Sequence, residues 1–210
     1  MITLHHSPGT AGLVVHWLLI ELEIPHTIRK VDLDAGEQKQ PAYLALNPSG
    51  VVPTLVVDGT PITEAAAIAL YLADSHPARN FAPAPGSFAR ASYFQWMVFL
   101  ANTLQPAFRA WFYPSEPAGE AHVDAVKAAA RARIEGVWER IDGHLAASGP
   151  YLLGDAVSTP DFMATMLMRW SRNMPKTATA WPALARYATL MKSRPSFKEL
   201  YAREGLTDWT

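Results

Sequence analysis

Asn47-Pro48-Ser49-Gly50-Val51-Val52-Pro53-Thr54-Leu55-Val56-Val57-Asp58-Gly59-Thr60-Pro61-Ile62-Thr63-Glu64-Ala65 is the stretch whose reading decides the fold. A turn-forming tetrapeptide runs into two β-branched residues and then a proline at the mouth of a strand. The plainer reading of Pro53 is a trans proline opening an edge strand, since only about 5–6% of X–Pro bonds are cis. A cis bond would instead turn the Val52 backbone outward, leaving its N–H and C=O to pair with an extended peptide by strand addition. Asp58-Gly59 between two short apolar runs predicts a two-residue hairpin. Thr63 then caps a helix predicted from Glu64 to Leu72, whose first N–H groups form an anion site while Glu64 holds a ligand ammonium. The competing reading has Glu64 only complementing the helix dipole, at ~0.3–1 kcal/mol.

Upstream, Ile2-Thr3-Leu4-His5 reads as a strand that passes through the turn Ser7-Pro8-Gly9 into an apolar stretch from Leu13 to Leu22 of helical length. Thr27 to Leu33 reads as a second strand, so the order up to residue 77 is βαβ followed by ββα. Residues 77–86 hold three prolines and a glycine in ten positions, which marks 78–86 as a linker. Beyond it every signal is helical: Ser87 to Tyr113, Glu120 to Ala147, then three shorter helices beginning near Ser158, Pro182 and Pro195. The prediction is an α/β domain over 1–77 joined to an all-helical domain over 87–210. Ser158 with Asp161 three residues later predicts a capping box.

Composition narrows the function. The chain has 210 residues, enough to remove roughly 70% of its unfolded surface from water on folding. Lys+Arg 18 against Asp+Glu 19 leaves a net charge of −1, which gives no bulk attraction to nucleic acid or anionic lipid. Cysteine is absent, and with it go disulfides, thiolate zinc sites and any Cys nucleophile. His5 and His6 do not read as a metal site either, because adjacent strand residues point to opposite faces. No metal is expected. No apolar run reaches about 18–20 residues and no leader pattern opens the chain, so a cytoplasmic protein is expected.

The Ser7-Pro8-Gly9-Thr10 turn, Gly36-Glu37-Gln38, the Asn47-to-Pro53 turn, Glu64-Ala65, Ile68-x-x-Tyr71-Leu72 and the Gly154-Asp155-x-x-Ser158-x-x-Asp161 pattern together resemble the cytosolic glutathione transferases over essentially the whole chain. The resemblance implies a thioredoxin-like N-terminal domain, a helical C-terminal domain and a glutathione site. By that resemblance Pro53 is the cis proline, Val52 pairs through its backbone with the cysteinyl part of glutathione, and Glu64 with the Ala65 N–H holds the γ-glutamyl end. Family members usually carry Ser or Thr where Ala65 stands. Gln38 sits where relatives reach the glycyl carboxylate, with Lys39 the substitute if the register slips by one.

The catalytic residue departs from the pattern. A free thiol ionises near pH 8.5, and lowering that by about two units requires ~2.7 kcal/mol of differential stabilisation of the thiolate. In the bacterial beta class the corresponding positions carry Tyr, Cys and Ser, whereas here they are His6, Ala11 and Gly12. Thr10 is the hydroxyl left at the start of the first helix and is expected to activate the thiol, with Ser7 the second hydroxyl in reach. Thr10 reads equally well as an N-cap worth ~1 kcal/mol. His6 reads as a packed or solvent-facing residue at the strand end. Phe108, Trp111 and Tyr113 lie where the family's electrophile binds, and Trp170 reads as core.

The resemblance implies a detoxifying transferase that joins glutathione to small apolar electrophiles, and a homodimer formed through the third and fourth helices. Two alternatives stand beside it: a glutathione-dependent isomerase, whose Ser-Ser-Cys signature is missing, and a non-catalytic binding or protein-interaction module of the same fold.

Overall fold

A computed structural model describes all 210 residues, Met1–Thr210, which group into two compact units. The first comprises Met1–Ala82 with Lys192–Asp208 and Thr210, and the second Pro83–Met191 with Trp209. The expected helical domain over 87–210 therefore loses its C-terminal helix to the first unit.

The first unit holds β1 (Ile2–His6), α1 (Gly12–Glu21), β2 (Thr27–Lys30), the short α2 (Pro41–Leu44), β3 (Thr54–Val57), β4 (Thr60–Thr63) and α3 (Ala65–Ser75). A four-stranded mixed sheet in the order β2-β1-β3-β4 results, with β1 parallel to β2 and antiparallel to β3. The β3–β4 hairpin turns at Asp58 and Gly59, both at positive φ (48° and 85°), the geometry a two-residue turn demands and the reason this dipeptide signals it. Leu13 to Ile20 are all buried, so α1 is covered on every side, with the imidazole of His16 among its apolar side chains. Part of that cover is α9 (Pro195–Glu204), which explains the regrouping of the C-terminus. The Trp17 indole N–H donates to Ser196 Oγ at 2.8 Å, its ring meets Phe197 edge-on at 5.2 Å, and Arg194 pairs with Glu21.

The second unit holds α4 (Phe88–Phe99), α5 (Gln105–Phe112), α6 (Val123–Ser148), α7 (Thr159–Trp170) and α8 (Pro182–Lys192). The helix predicted over 87–113 forms, capped by Ser87 Oγ accepting from the Arg90 N–H, but it carries a π-helical segment at Leu100–Leu104. Pro106 supplies the reason: it has no N–H for the carbonyl one turn back, so the regular ladder cannot run through it. The capping box forms as predicted at the start of α7.

Candidate functional site

The hairpin register assembles the site. Thr54 pairs with Thr63 and with His5, so the residues one step beyond, Pro53, Glu64 and His6, lie together at one edge of the sheet. The Val52–Pro53 bond is cis, as expected. Val52 makes no hydrogen bond within the chain through its N–H or C=O, while its neighbour is held firmly. The Val51 carbonyl accepts from the Tyr43 hydroxyl at 2.8 Å and from Asn47 Nδ2 at 2.7 Å, and Asn47 Oδ1 accepts from the Ser49 N–H at 3.1 Å. Tyr43 also bonds Thr54 Oγ1 at 3.0 Å, and burial pushes its phenol above the usual value. The turn is thereby fixed on both sides of an unsatisfied Val52.

Glu64 is the second anomaly of this edge. It stands at φ 68°, ψ 110°, a conformation that costs a non-glycine residue of order 1–3 kcal/mol. Its carboxylate is exposed and meets no partner in the chain. Thr63 does not cap α3; it is the last residue of β4, and Glu64 takes the cap position without turning its side chain back onto the helix. The Ala65–Ala67 N–H groups consequently open α3 without a side-chain cap. An acceptor-only side chain beside free amide donors suits a zwitterionic ligand with one ammonium and one carboxylate.

Gln38 and Lys39 sit on a short 3₁₀ turn, Glu37–Lys39, against the Asn47–Gly50 loop. Lys39 Nζ donates to the Ser49 carbonyl at 3.4 Å, and Gln38 Oε1 is buried without a hydrogen-bond partner. Both residues flank the same loop, Gln38 through its backbone carbonyl and Lys39 through its side chain.

The Ser7–Thr10 turn joins β1 to α1. Thr10 Oγ1 donates to the Ser7 carbonyl at 2.6 Å and accepts from the Gly12 N–H at 3.4 Å, while the cap position of α1 itself falls on Ala11. The Thr10 proton is therefore spoken for, whereas Ser7 Oγ has no partner in the chain and is half-buried. His6 faces the opposite way from His5 and is buried against α1, where burial pushes its imidazole down to about 4. Gly12 is required there, since a Cβ on it would stand 2.5 Å from His6 Cβ.

In the second unit the aromatic end of α5 divides. Phe108 is wholly buried among Trp138, Phe112 and Trp170, with ring centroids 5.8–6.3 Å away, and is core rather than pocket lining, which corrects the expectation for it. Trp111 is half-buried, and Phe112 and Tyr113 are exposed.

Comparison with known proteins supplies the lineage. The chain matches the glutathione S-transferase N-terminal domain family over residues 12–75 and the corresponding C-terminal domain family over residues 124–203. The chain belongs to the glutathione S-transferase family. It is 30% identical over 209 residues to a glutathione S-transferase of Xanthomonas campestris, covering 97% of this chain and 98% of that one. It is also 30% identical over 206 residues to one of Escherichia coli O157:H7, covering 97% and 98%. Among solved structures, a sphingomonad glutathione S-transferase complexed with glutathione superposes with a TM-score of 0.86 at 34% identity, over 98% of this chain and 100% of that one. The four-stranded mixed sheet and the helical second unit are those of this family.

Sequence reasoning had placed Val52, Pro53, Glu64 and Ala65 by resemblance, and the register brings them to one edge. It missed Tyr43 and Asn47, which hold the turn. Asn47 carried a visible signal as the first residue of an Asn-Pro-Ser-Gly turn. Tyr43 carried none, because its partners Val51 and Thr54 are eight and eleven residues away. No helix is long and apolar enough to cross a membrane.

Proposed function

We propose that this chain binds glutathione along the edge formed by Val52, Pro53, Glu64 and Ala65 and joins its sulfur to small apolar electrophiles. The observation that carries the reading is the free backbone of Val52 beside a strained, unpaired Glu64 at the open start of α3. The cysteinyl backbone extends the sheet at Val52, as strand addition requires. The γ-glutamyl ammonium meets Glu64 and its carboxylate meets the Ala65 N–H, while Gln38 and Lys39 take the glycyl carboxylate.

Catalysis in this reading is thiolate stabilisation and proximity, with no covalent enzyme intermediate. The thiol proton leaves to solvent, the thiolate sulfur bonds the electrophilic carbon, and any leaving group departs with the electron pair of its broken bond. The stabilising hydroxyl comes from the Ser7–Thr10 turn: Ser7 as the free donor, and Thr10 if it releases the Ser7 carbonyl. Trp111 and Tyr113 are the proposed contacts for the apolar electrophile. Residence in the cytoplasm, where glutathione is the thiol buffer, belongs to the same reading.

Calorimetric titration of glutathione tests the placement. Glu64→Ala is expected to weaken binding at least about tenfold, since a charged partner worth ~1.5–3 kcal/mol is removed. Unchanged affinity would move the site elsewhere. A homodimer is part of the proposal, because α4 is apolar on two faces: Tyr93 and Met97 are buried, while Phe94 and Val98 are exposed. Light scattering at micromolar concentration is expected to give twice the chain mass, and a monomer mass sinks that part.

A further inference from the structure

One cluster takes no part in the proposed chemistry. His6 at the end of β1, His16 in the middle of α1 and Glu204 at the end of α9 come together inside the first unit, their side chains 1–2% exposed. Glu204 Oε1 lies 2.9 Å from His16 Nδ1 and 3.7 Å from His6 Nδ1, and one donor atom from each residue falls within 4.8 Å of the others. The other carboxylate oxygen, Oε2, accepts from the Gly9 N–H at 2.9 Å, which fixes the direction of Oε1. A purely structural ion pair accounts for this poorly. It uses one nitrogen of His16 and leaves His6 Nδ1, which points at the same carboxylate oxygen, buried without a hydrogen-bond partner, a state that folded proteins largely avoid.

We infer that His6, His16 and Glu204 form a binding site for a divalent transition-metal ion of the zinc type. Two imidazoles and a carboxylate are a donor set that zinc favours, and one that the oxygen-seeking Ca²⁺ and Mg²⁺ do not. Ligand atoms bonded at 2.0–2.1 Å to a tetrahedral ion stand ~3.3 Å apart, and the 2.9 and 3.7 Å separations bracket that distance. His6 is rigidly placed by its packing on Gly12. A cavity of about 420 Å³ reaches the three side chains past Pro8 and Ile28 and gives a path for the ion and room for a water as fourth ligand. Two cations also border this cavity, but both are solvent-exposed: Arg203 is paired with Glu199, and the charge of Lys30 is screened by water. The site would clamp β1, α1 and α9, three elements far apart in the chain.

The test uses tag-free, chelator-treated full-length protein without glutathione, so that its outcome is independent of the glutathione site. Zn²⁺ titrated by calorimetry is expected to bind at one equivalent, and at about 100 times the dissociation constant to raise the melting temperature by about 5–10 °C. Co²⁺ is expected to give the intense visible bands of a four-coordinate site, a readout that needs no variant. Glu204→Gln and His6→Asn are each expected to lower Zn²⁺ affinity by about 100-fold or more, while His122→Asn, an exposed histidine, leaves it unchanged. The inference falls if the parent shows no saturable Zn²⁺ binding and only the pale six-coordinate Co²⁺ spectrum, or if the folded variants bind as tightly as the parent.

Discussion

Two helix starts in this molecule carry an acidic residue and treat it in opposite ways. At the start of α7, Asp161 is fully buried and all its acceptor capacity is used: Oδ1 takes the Leu152 N–H and the Tyr187 hydroxyl, each at 2.9 Å, and Oδ2 takes the Ser158 N–H and hydroxyl, each at 2.8 Å. Burial drives its carboxyl upward against the pull of those donors, and drives the Tyr187 phenol upward as well. At the start of α3, Glu64 is exposed, sits at positive φ and accepts nothing, and the amides beside it have no side-chain cap. The same chemical elements, a carboxylate and a helix N-terminus, hold the fold together in one unit and stand without partners in the other. What separates them is satisfaction: the closed polar network is structure, and the strained open one is what the proposed glutathione site rests on.

Breaking the closed network is expected to have the largest effect. Asp161→Ala strands the buried Leu152 and Ser158 amides, removes the acceptor of the Ser158 hydroxyl and leaves the Tyr187 hydroxyl only the residue 161 carbonyl, and should cost about 3–5 kcal/mol, lowering the melting temperature by roughly 6–20 °C with glutathione affinity intact. The sequence pattern alone predicts only a cap worth about 1 kcal/mol, so a small loss in a thermal melt would mean that the network adds nothing beyond the cap.

The open start responds differently. Glu64→Gly relieves a positive-φ cost of about 1–3 kcal/mol while adding about 0.4–1 kcal/mol of freedom to the unfolded chain, so the melting temperature should hold or rise by up to about 10 °C. Glutathione affinity should nonetheless fall at least about tenfold. A variant that lost stability and kept its affinity would show Glu64 to be a structural residue like Asp161.

The smallest expected effect sharpens the catalytic assignment. Ser7→Ala should raise the pKa of the bound thiol by roughly one to two units, and Thr10→Val by less, because the Thr10 proton already belongs to the Ser7 carbonyl. Thiolate absorbance of the glutathione complex against pH measures both, separately from stability. A larger shift in Thr10→Val would show that Thr10 turns to the sulfur when ligand binds.

Much of the fold was legible because its signals are short-ranged. The Asp58-Gly59 turn, the Ser158-x-x-Asp161 box and the Asn47 turn each depend on residues within a few positions of one another, where backbone sterics and local hydrogen bonds dominate. Thr63 was misread as a cap for a related reason: a Thr before a helix is the right residue, but pairing with Thr54 across the hairpin claimed it for the strand. Phe108 was misassigned because helical spacing cannot tell which side of an aromatic helix end meets Trp138 and Trp170.

The sequence by itself determined the main elements and their order, because propensity, turn chemistry and capping act over a few residues and repeat wherever those residues occur, and its resemblance to known proteins gave the family. Only the tertiary structure decided that α9 joins the first unit, that Tyr43 and Asn47 leave Val52 unsatisfied, and that His6, His16 and Glu204 meet. The His16–Glu204 and Gly9–Glu204 contacts span 188 and 195 residues, and such pairings are set by how buried faces pack and by which polar groups must find partners away from water.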